Sequence, residues 1–266
     1  MAKDASKEII LDTAIADQIR LEFTLCLNRT LTRIKTADTH RPFHAALLSE
    51  EALFWSRFER SFSTSFGQGF IESVSKLVCQ AGGADEVEGQ RGTFVTLTGT
   101  QWETIEQVVR DSRTGKASGP ISWATDLNRV RSASAFNSTT DRRRVISDLW
   151  WKKDGIEHFM SIKTVKPNLD QTAEAKRDLL KLAGEDESRK VYLGLYYNPY
   201  GDARSDYAWS PPLRIFNMTT DDCVLIGREY WDTLGGDGTY ESVLEIADEV
   251  GERIRPKLVK AFQSTL

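Results

Sequence analysis

The sequence predicts an α/β fold in which a mixed β-sheet is flanked by helices, and three observations support this prediction. Four short runs have the apolar, β-branched and aromatic content of strands. Around them, apolar residues recur every three or four positions, which is the helical period. At 266 residues, of which 40% are hydrophobic, the chain is long enough to bury a full core as one domain.

The predicted elements, in chain order, are helices at 6–34, 49–61 and 70–80, a strand at 91–100, a helix at 102–111, an exposed loop at 112–140, strands at 145–151 and 156–165, a helix at 169–183, a strand at 191–197 and a last helix from about 240. Ser49 suits the N-cap of the second helix. The glycines within 62–69 predict a break between the second and third helices.

The central predicted feature is a hairpin around Asp154-Gly155. Asp-Gly favours a two-residue turn, because both central residues of that turn need a positive φ. This turn places Asp148 directly across from Ser161. Lys163 lies on the same face two residues further along, since side chains alternate with period two. Diagonal neighbours of this kind lie within roughly 7–8 Å of each other.

An acid and an ammonium on this face need an explanation, because Trp150 and Phe159 lie on the same face. Charges among large apolar groups need a partner or a metal ion. One interpretation is a structural ion pair between Asp148 and Lys163. The other is a catalytic site that binds a divalent cation, and the hairpin alone is compatible with both.

Charge and cysteine content indicate the setting of the protein. The net charge is −4, yet residues 110–153 contain ten Lys or Arg against four acids, and this basic segment leads into the hairpin. DNA binding requires phosphate-neutralising side chains of this kind. Three scattered cysteines form neither a disulfide framework nor a metal motif, and neither a signal peptide nor a membrane span is recognisable. We therefore expect an intracellular protein.

Five blocks of the sequence resemble one family of nucleases. They are Arg41-Pro42-Phe43-His44, residues 58–65, Ser147-Asp148-Leu149-Trp150, residues 162–168 and Tyr197-Asn198-Pro199-Tyr200-Gly201. In this order they resemble the TdeIII-like Type II restriction endonucleases of the PD-(D/E)XK nuclease superfamily. The resemblance implies one restriction-endonuclease-like domain over 1–266. Its parts would be a helical N-terminal part (1–66), a catalytic core (67–200) and a C-terminal part with a DNA-reading segment (201–266).

The resemblance also implies a Mg²⁺-dependent active site. Asp148 would be the central metal ligand, and Lys163 would orient or deprotonate the attacking water. Ser161 stands where the common form of the superfamily has Glu or Asp, so a second acid is expected elsewhere. Glu174, on the helix after the hairpin, is our first choice, and Glu72, on the helix at 70–80, is the rival.

The expected function is sequence-specific hydrolysis of double-stranded DNA by a homodimer, because a two-fold symmetric site is best matched by a two-fold symmetric protein. The resemblance implies a short G/C-rich palindrome such as GGNCC, a cytoplasmic location in a prokaryote and a cognate DNA methyltransferase. The candidate DNA contacts are Arg142, Arg143, Arg144, Lys166, Arg204 and Arg214.

Two alternative functions stay open. The first is a DNA-binding protein of nuclease ancestry that Ser161 has weakened or inactivated. The second is an unrelated α/β protein whose hairpin holds a structural ion pair.

Overall fold

The computed structural model describes residues 10–36, 40, 42–117, 119–133 and 139–263. The helices are α1 (Thr13–Thr36), α2 (Pro42–Leu47), α3 (Glu50–Ser65), α4 (Ile71–Ala81), α5 (Gly99–Thr114), α6 (Trp123–Ser132), α7 (Leu169–Glu185), α8 (Ser210–Leu213), α9 (Arg228–Gly235) and α10 (Thr239–Gln263). The strands are β1 (Glu86–Thr98), β2 (Thr140–Lys153), β3 (Ile156–Lys163), β4 (Lys190–Leu195) and β5 (Val224–Ile226). No helix in the described ranges has the length and apolar character that a membrane crossing needs.

The described residues belong to two compact units. One is drawn from Met1–Ala81 and Asp237–Leu266, and the other from Gly82–Gly236. All five strands lie in the second unit. The prediction of a single domain over the whole chain stays a prediction.

The second unit is built around one five-stranded sheet in the order β1-β2-β3-β4-β5. Strand β2 is antiparallel to both β1 and β3, whereas β4 and β5 run parallel to β3. A parallel pair needs a long connection, and α7 provides it between β3 and β4. The predicted mixed sheet flanked by helices is confirmed.

Helices cover both faces of this sheet. On one face, α7 buries Ala173, Leu179 and Leu180 in the same hydrophobic cluster as strand residues such as Phe159. On the other face, the ring of Tyr230 from α9 occupies the space that a Cβ on Gly194 would fill. The close approach of α9 to β4 therefore depends on a glycine at this position.

The β2–β3 hairpin has the predicted register. Trp150 pairs with Phe159, and the turn residues Asp154 and Gly155 have φ values of 51° and 77°. The strands differ from the predicted bounds, since β2 begins at Thr140 and β3 ends at Lys163. The predicted pairing of the two strands is therefore observed, although the predicted ends are not.

The prediction of an exposed loop at 112–140 was wrong over part of its length, because α6 lies within it. Ser122 caps this helix, and its hydroxyl accepts a hydrogen bond from the amide of Thr125. Trp123 and Val130 are buried and anchor the helix in the core. Trp123, Leu127 and Val130 do recur at the helical spacing, but the Ser, Thr and Gly residues around this short segment favour a loop, and that composition led to the wrong prediction.

The predicted break at 62–69 was also wrong. The helical path continues through α3 into a π-helical turn, Phe66–Phe70, and then into α4. Aromatic packing accounts for this continuity, since the ring centroids of Phe66 and Phe70 are 4.7 Å apart and those of Phe23 and Phe70 are 4.9 Å apart. The predicted start of the first helix at residue 6 lies outside the described residues, and α1 begins at Thr13.

Candidate active site

The carboxylate of Asp148 is the centre of a hydrogen-bond network on the hairpin. Its Oδ2 accepts hydrogen bonds from the amide of Ile162 (2.7 Å), from Nζ of Lys163 (3.1 Å) and from Oγ of Ser161 (3.3 Å). The structure thus brings together the three hairpin residues that the sequence singles out. Their catalytic role stays a prediction.

The two charged groups of this network are neither fully buried nor fully exposed. The Asp148 side chain is 23% exposed and that of Lys163 is 21% exposed. Trp150 and Phe159, one step further along the hairpin, are buried. An ion pair in such a position gains little net stability, because removing two charges from water offsets most of their attraction. The pair by itself is therefore weak evidence for a role in stability.

The strand that carries Asp148 is irregular at this point. In a regular strand, Val145 and Trp150 would point to opposite faces, since they are an odd number of residues apart. Both are buried in the same hydrophobic cluster. The alternation of β2 is therefore interrupted between them, in the stretch that contains Asp148.

Gln90 on β1 is a site residue that the sequence did not indicate. It lies across from Asp148, because the pairs on either side are Gly89 with Leu149 and Arg91 with Ser147. Its φ is 52°, and its Nε2 donates a hydrogen bond to Asp148 Oδ1 at 3.3 Å. No sequence signal marks this role, because glutamine is not a residue type that favours positive φ.

The predicted second acids do not join this network through any described contact. Glu174 is exposed on α7, and no hydrogen bond or ion pair connects it to Asp148 within the described ranges. Glu72 is half-buried in the first turn of α4, in the first compact unit. In the part of the chain that the structure describes, no three or more His, Cys, Asp or Glu form a group that could hold a metal.

The three consecutive arginines of β2 differ in their contacts. Arg142 and Arg144 are exposed, with the Arg142 guanidinium 4.4 Å from the ring centroid of Phe94. Arg143 instead pairs with Asp141, at 2.7 Å between Nε and Oδ2. Its neighbours are therefore better placed to exchange their contacts for phosphate oxygens.

The remaining candidate DNA contacts also differ. Arg204 donates from Nε to the carbonyl of Met218 and from Nη2 to that of Asp221, and it pairs with Glu229. Arg214 is exposed. Lys166 is exposed as well, with its Nζ 5.3 Å from the ring centroid of Tyr200.

The opposite face of the hairpin carries a histidine without a place in the network. The His158 ring stacks on Trp151, and its Nδ1 lies 3.3 Å from the hydroxyl of Tyr192. Burial, with the nearby charges of Lys190 and Lys153, lowers the pKa of His158 to about 4. The imidazole is therefore neutral near pH 7.

Comparisons with known proteins show the family of the chain. Residues 9–251 match the model of a family described as Type II restriction endonuclease, HinfI. Three similar proteins of Herpetosiphon aurantiacus are Type II restriction enzymes. HgiEI is 30% identical over 248 residues (88% of this chain, 89% of the relative), and HgiBI is 29% identical over the same shares. HgiCII is 27% identical over 226 residues (83% of this chain, 81% of the relative).

No solved structure gives a significant match. The resemblance stated from the sequence is confirmed for Type II restriction endonucleases, although the matching family is HinfI and the TdeIII-like subtype is not confirmed. The match to the family model extends over most of the chain, including every residue of the Asp148 network. The chain belongs to the HinfI family of Type II restriction endonucleases and is a site-specific deoxyribonuclease.

Proposed function

We propose that Asp148, Ser161 and Lys163 form the active site at which this enzyme hydrolyses double-stranded DNA with Mg²⁺. The main support is the 3.1 Å contact between Lys163 Nζ and Asp148 Oδ2, which holds an ammonium and a carboxylate side by side on neighbouring strands. Both groups are about one-fifth exposed, so a phosphate can reach them.

The described residues fit Mg²⁺. Type II restriction endonucleases generally use divalent metal ions. Mg²⁺ binds through one or two carboxylates, keeps several waters and takes oxygens of the substrate phosphate. Asp148 supplies one carboxylate, and among the described residues the donor to its Oδ1 is Gln90, at 3.3 Å. When bound there, the ion would neutralise charge on the scissile phosphate.

Lys163 stabilises the transition state in this proposal. An oxygen–phosphorus bond forms from the attacking water while the bond from phosphorus to the 3′ oxygen breaks. The water releases a proton to solvent, and the leaving oxygen takes one up. Negative charge grows on the phosphoryl oxygens, next to an ammonium that Asp148 and the carbonyl of Ile162 (3.2 Å) hold in place.

Ser161 orients the carboxylate, because its hydroxyl donates to Asp148 and supplies no negative charge. The second acid that this site lacks is assigned to Glu174, with Glu72 as the rival. Glu174 makes no hydrogen bond or ion pair within the described ranges, so it can turn toward a cation without breaking one. Glu72, on α4, fits the alternative in which a helix before the sheet supplies the acid.

The exposed arginines of β2 contact the DNA backbone in this proposal. At about 3.3 Å per residue, the Cα atoms of Arg144 and Arg142 lie roughly 13 and 20 Å along the strand from that of Asp148. DNA carries one phosphate per roughly 3.4 Å of axis on each strand. The two arginines are therefore assigned to flanking phosphates rather than to the scissile one. Lys166 and Arg214 are assigned to the same substrate.

The finer details of the function follow from the sequence resemblance. We infer a TdeIII-like specificity for a short G/C-rich palindrome such as GGNCC, cut by a homodimer in which each subunit cleaves one strand. We also infer a cytoplasmic location in a prokaryote and a cognate DNA methyltransferase that protects the host sites.

Incubation of the purified protein with phage DNA and Mg²⁺ tests the proposal. Discrete fragments are expected with Mg²⁺ and none with a chelator, and a parallel preparation of Lys163→Ala guards against a contaminating nuclease. A gel shift without cleavage would instead support the inactive DNA-binding alternative that Ser161 raises. The absence of both cleavage and a gel shift would overturn the proposal.

A further inference from the structure

The backbone of Gln90 is strained within a strand. Its φ of 52° lies in the left-handed region, which residues with a side chain rarely adopt. Within the described ranges, the other non-glycine residue with a positive φ is Asp154, where the hairpin turn demands it. Pairing with β2 continues on both sides of Gln90, so no turn explains its conformation. Strain of this kind concentrates at functional sites.

The side chain of Gln90 contacts one particular oxygen of Asp148. Oδ2 accepts hydrogen bonds from Ile162, Lys163 and Ser161, whereas the described donor to Oδ1 is Nε2 of Gln90, at 3.3 Å. A carboxylate oxygen has two lone pairs, so Oδ1 keeps the capacity to bind a cation beside the amide.

We propose that Gln90 is a positioning residue that fixes Oδ1 of Asp148 for a divalent cation. The left-handed backbone turns the amide toward Asp148, and the amide restricts rotation of the carboxylate. The inference rests on the proposed function, since it takes Asp148 as a metal ligand. Hydrogen-bond partners of metal ligands typically change metal affinity or activity by about 10–100-fold.

A purely structural role for Gln90 makes the opposite prediction. The side chain is exposed, and its backbone conformation costs stability. Glycine adopts φ near +50° without this strain. If Gln90 served the fold alone, Gln90→Gly would leave the site intact in a protein at least as stable.

The experiment compares Gln90→Gly, Gln90→Ala and Asp148→Ala with the wild type. Asp154→Gly is the matched control, because it relieves a similar φ in the hairpin turn without touching the carboxylate. Each protein is measured by urea unfolding, by the Mg²⁺ concentration that gives half-maximal cleavage, and by Mn²⁺ binding to the free protein by electron paramagnetic resonance.

Gln90→Gly is expected to unfold at the same or a higher urea concentration, yet to need about tenfold more Mg²⁺ and to bind Mn²⁺ about tenfold more weakly. Gln90→Ala is expected to share the weaker metal binding and to be less stable than Gln90→Gly, because alanine keeps the backbone strain. Asp154→Gly is expected to keep the wild-type metal dependence. Wild-type Mg²⁺ and Mn²⁺ responses in Gln90→Gly would overturn the inference. If Asp148→Ala responded normally as well, the proposed active site itself would fail.

Discussion

Lys163 and Asp148 are 15 residues apart in the chain, yet Nζ of Lys163 lies 3.1 Å from Oδ2 of Asp148. The Asp154-Gly155 turn makes this contact possible, because it folds β3 back on β2 in one fixed register. A shift by one residue would move Lys163 to the other face of the sheet. The position of the ammonium therefore depends on the hairpin, and so do the predictions about catalysis.

Arg144 is expected to contribute to DNA binding through phosphate neutralisation. Arg144→Gln should make the plot of log DNA-binding constant against log salt concentration less steep, by about 1 in slope. Binding is measured with duplex DNA in the presence of a chelator, so that no cleavage occurs. Arg143→Gln is the matched control, and its effect should be smaller because Arg143 pairs with Asp141 at 2.7 Å. Equal slopes for wild type and Arg144→Gln would contradict this role.

Substitution of Arg204 is expected to affect the stability of the fold, whereas substitution of Arg214 is expected to affect DNA recognition. Arg204→Gln is expected to lower the free energy of unfolding by about 1–3 kcal/mol, because the carbonyls of Met218 and Asp221 lose a charged donor. The exposed Arg214→Gln should change it by less than about 0.5 kcal/mol, and should reduce discrimination between related DNA sites. Urea unfolding and cleavage of single-base variant sites measure the two effects. A clearly destabilised Arg214→Gln protein would contradict the assignment of Arg214 to DNA recognition alone.

Glu174→Gln should lower the cleavage rate by about tenfold or more and raise the Mg²⁺ requirement, because a metal-binding carboxylate is lost. Glu72→Gln should then cleave at the wild-type rate. The exposed Glu187→Gln is the control for loss of one negative charge near the end of α7. The reverse result would transfer the role to Glu72. Wild-type cleavage rates in both variants would show that neither Glu174 nor Glu72 supplies the second acid.

His158 should make the stability of the fold depend on pH. Its pKa is about 4 in the folded protein and near 6.5 in the unfolded chain, so the unfolded chain binds more protons between these values. The free energy of unfolding therefore falls as the pH is lowered from about 6.5 to 4, by an amount on the order of 1–3 kcal/mol once partial exposure is allowed for.

His158→Phe tests this contribution, because phenylalanine can keep the stack on Trp151 and does not titrate. Urea unfolding at about pH 7 and about pH 5 should show a smaller loss of stability in the variant than in the wild type. The same loss in both proteins would rule out His158 as the source.

The hairpin network was predictable from sequence because each step follows from local rules. The Asp-Gly turn sets the register, the register sets which side chains face each other, and the charged pair among large apolar residues marks the candidate site. Gln90 was not predictable, since its position depends on how β1 pairs with β2 over a separation of 58 residues. The π-helical turn at Phe66–Phe70 escaped prediction for a similar reason, because packing against Phe23 outweighs the local preference of the glycines.

In the proposed mechanism the Lys163 ammonium, held by Asp148, stabilises the transition state of phosphodiester hydrolysis. The most direct test is the single-turnover cleavage rate of Lys163→Ala on a saturating concentration of duplex DNA, with the exposed Lys190→Ala as control. We predict a loss of roughly 10²–10³-fold, with DNA binding in chelator and the urea midpoint close to wild type. If Lys163→Ala cut DNA within about twofold of the wild-type rate, Lys163 would not stabilise the transition state.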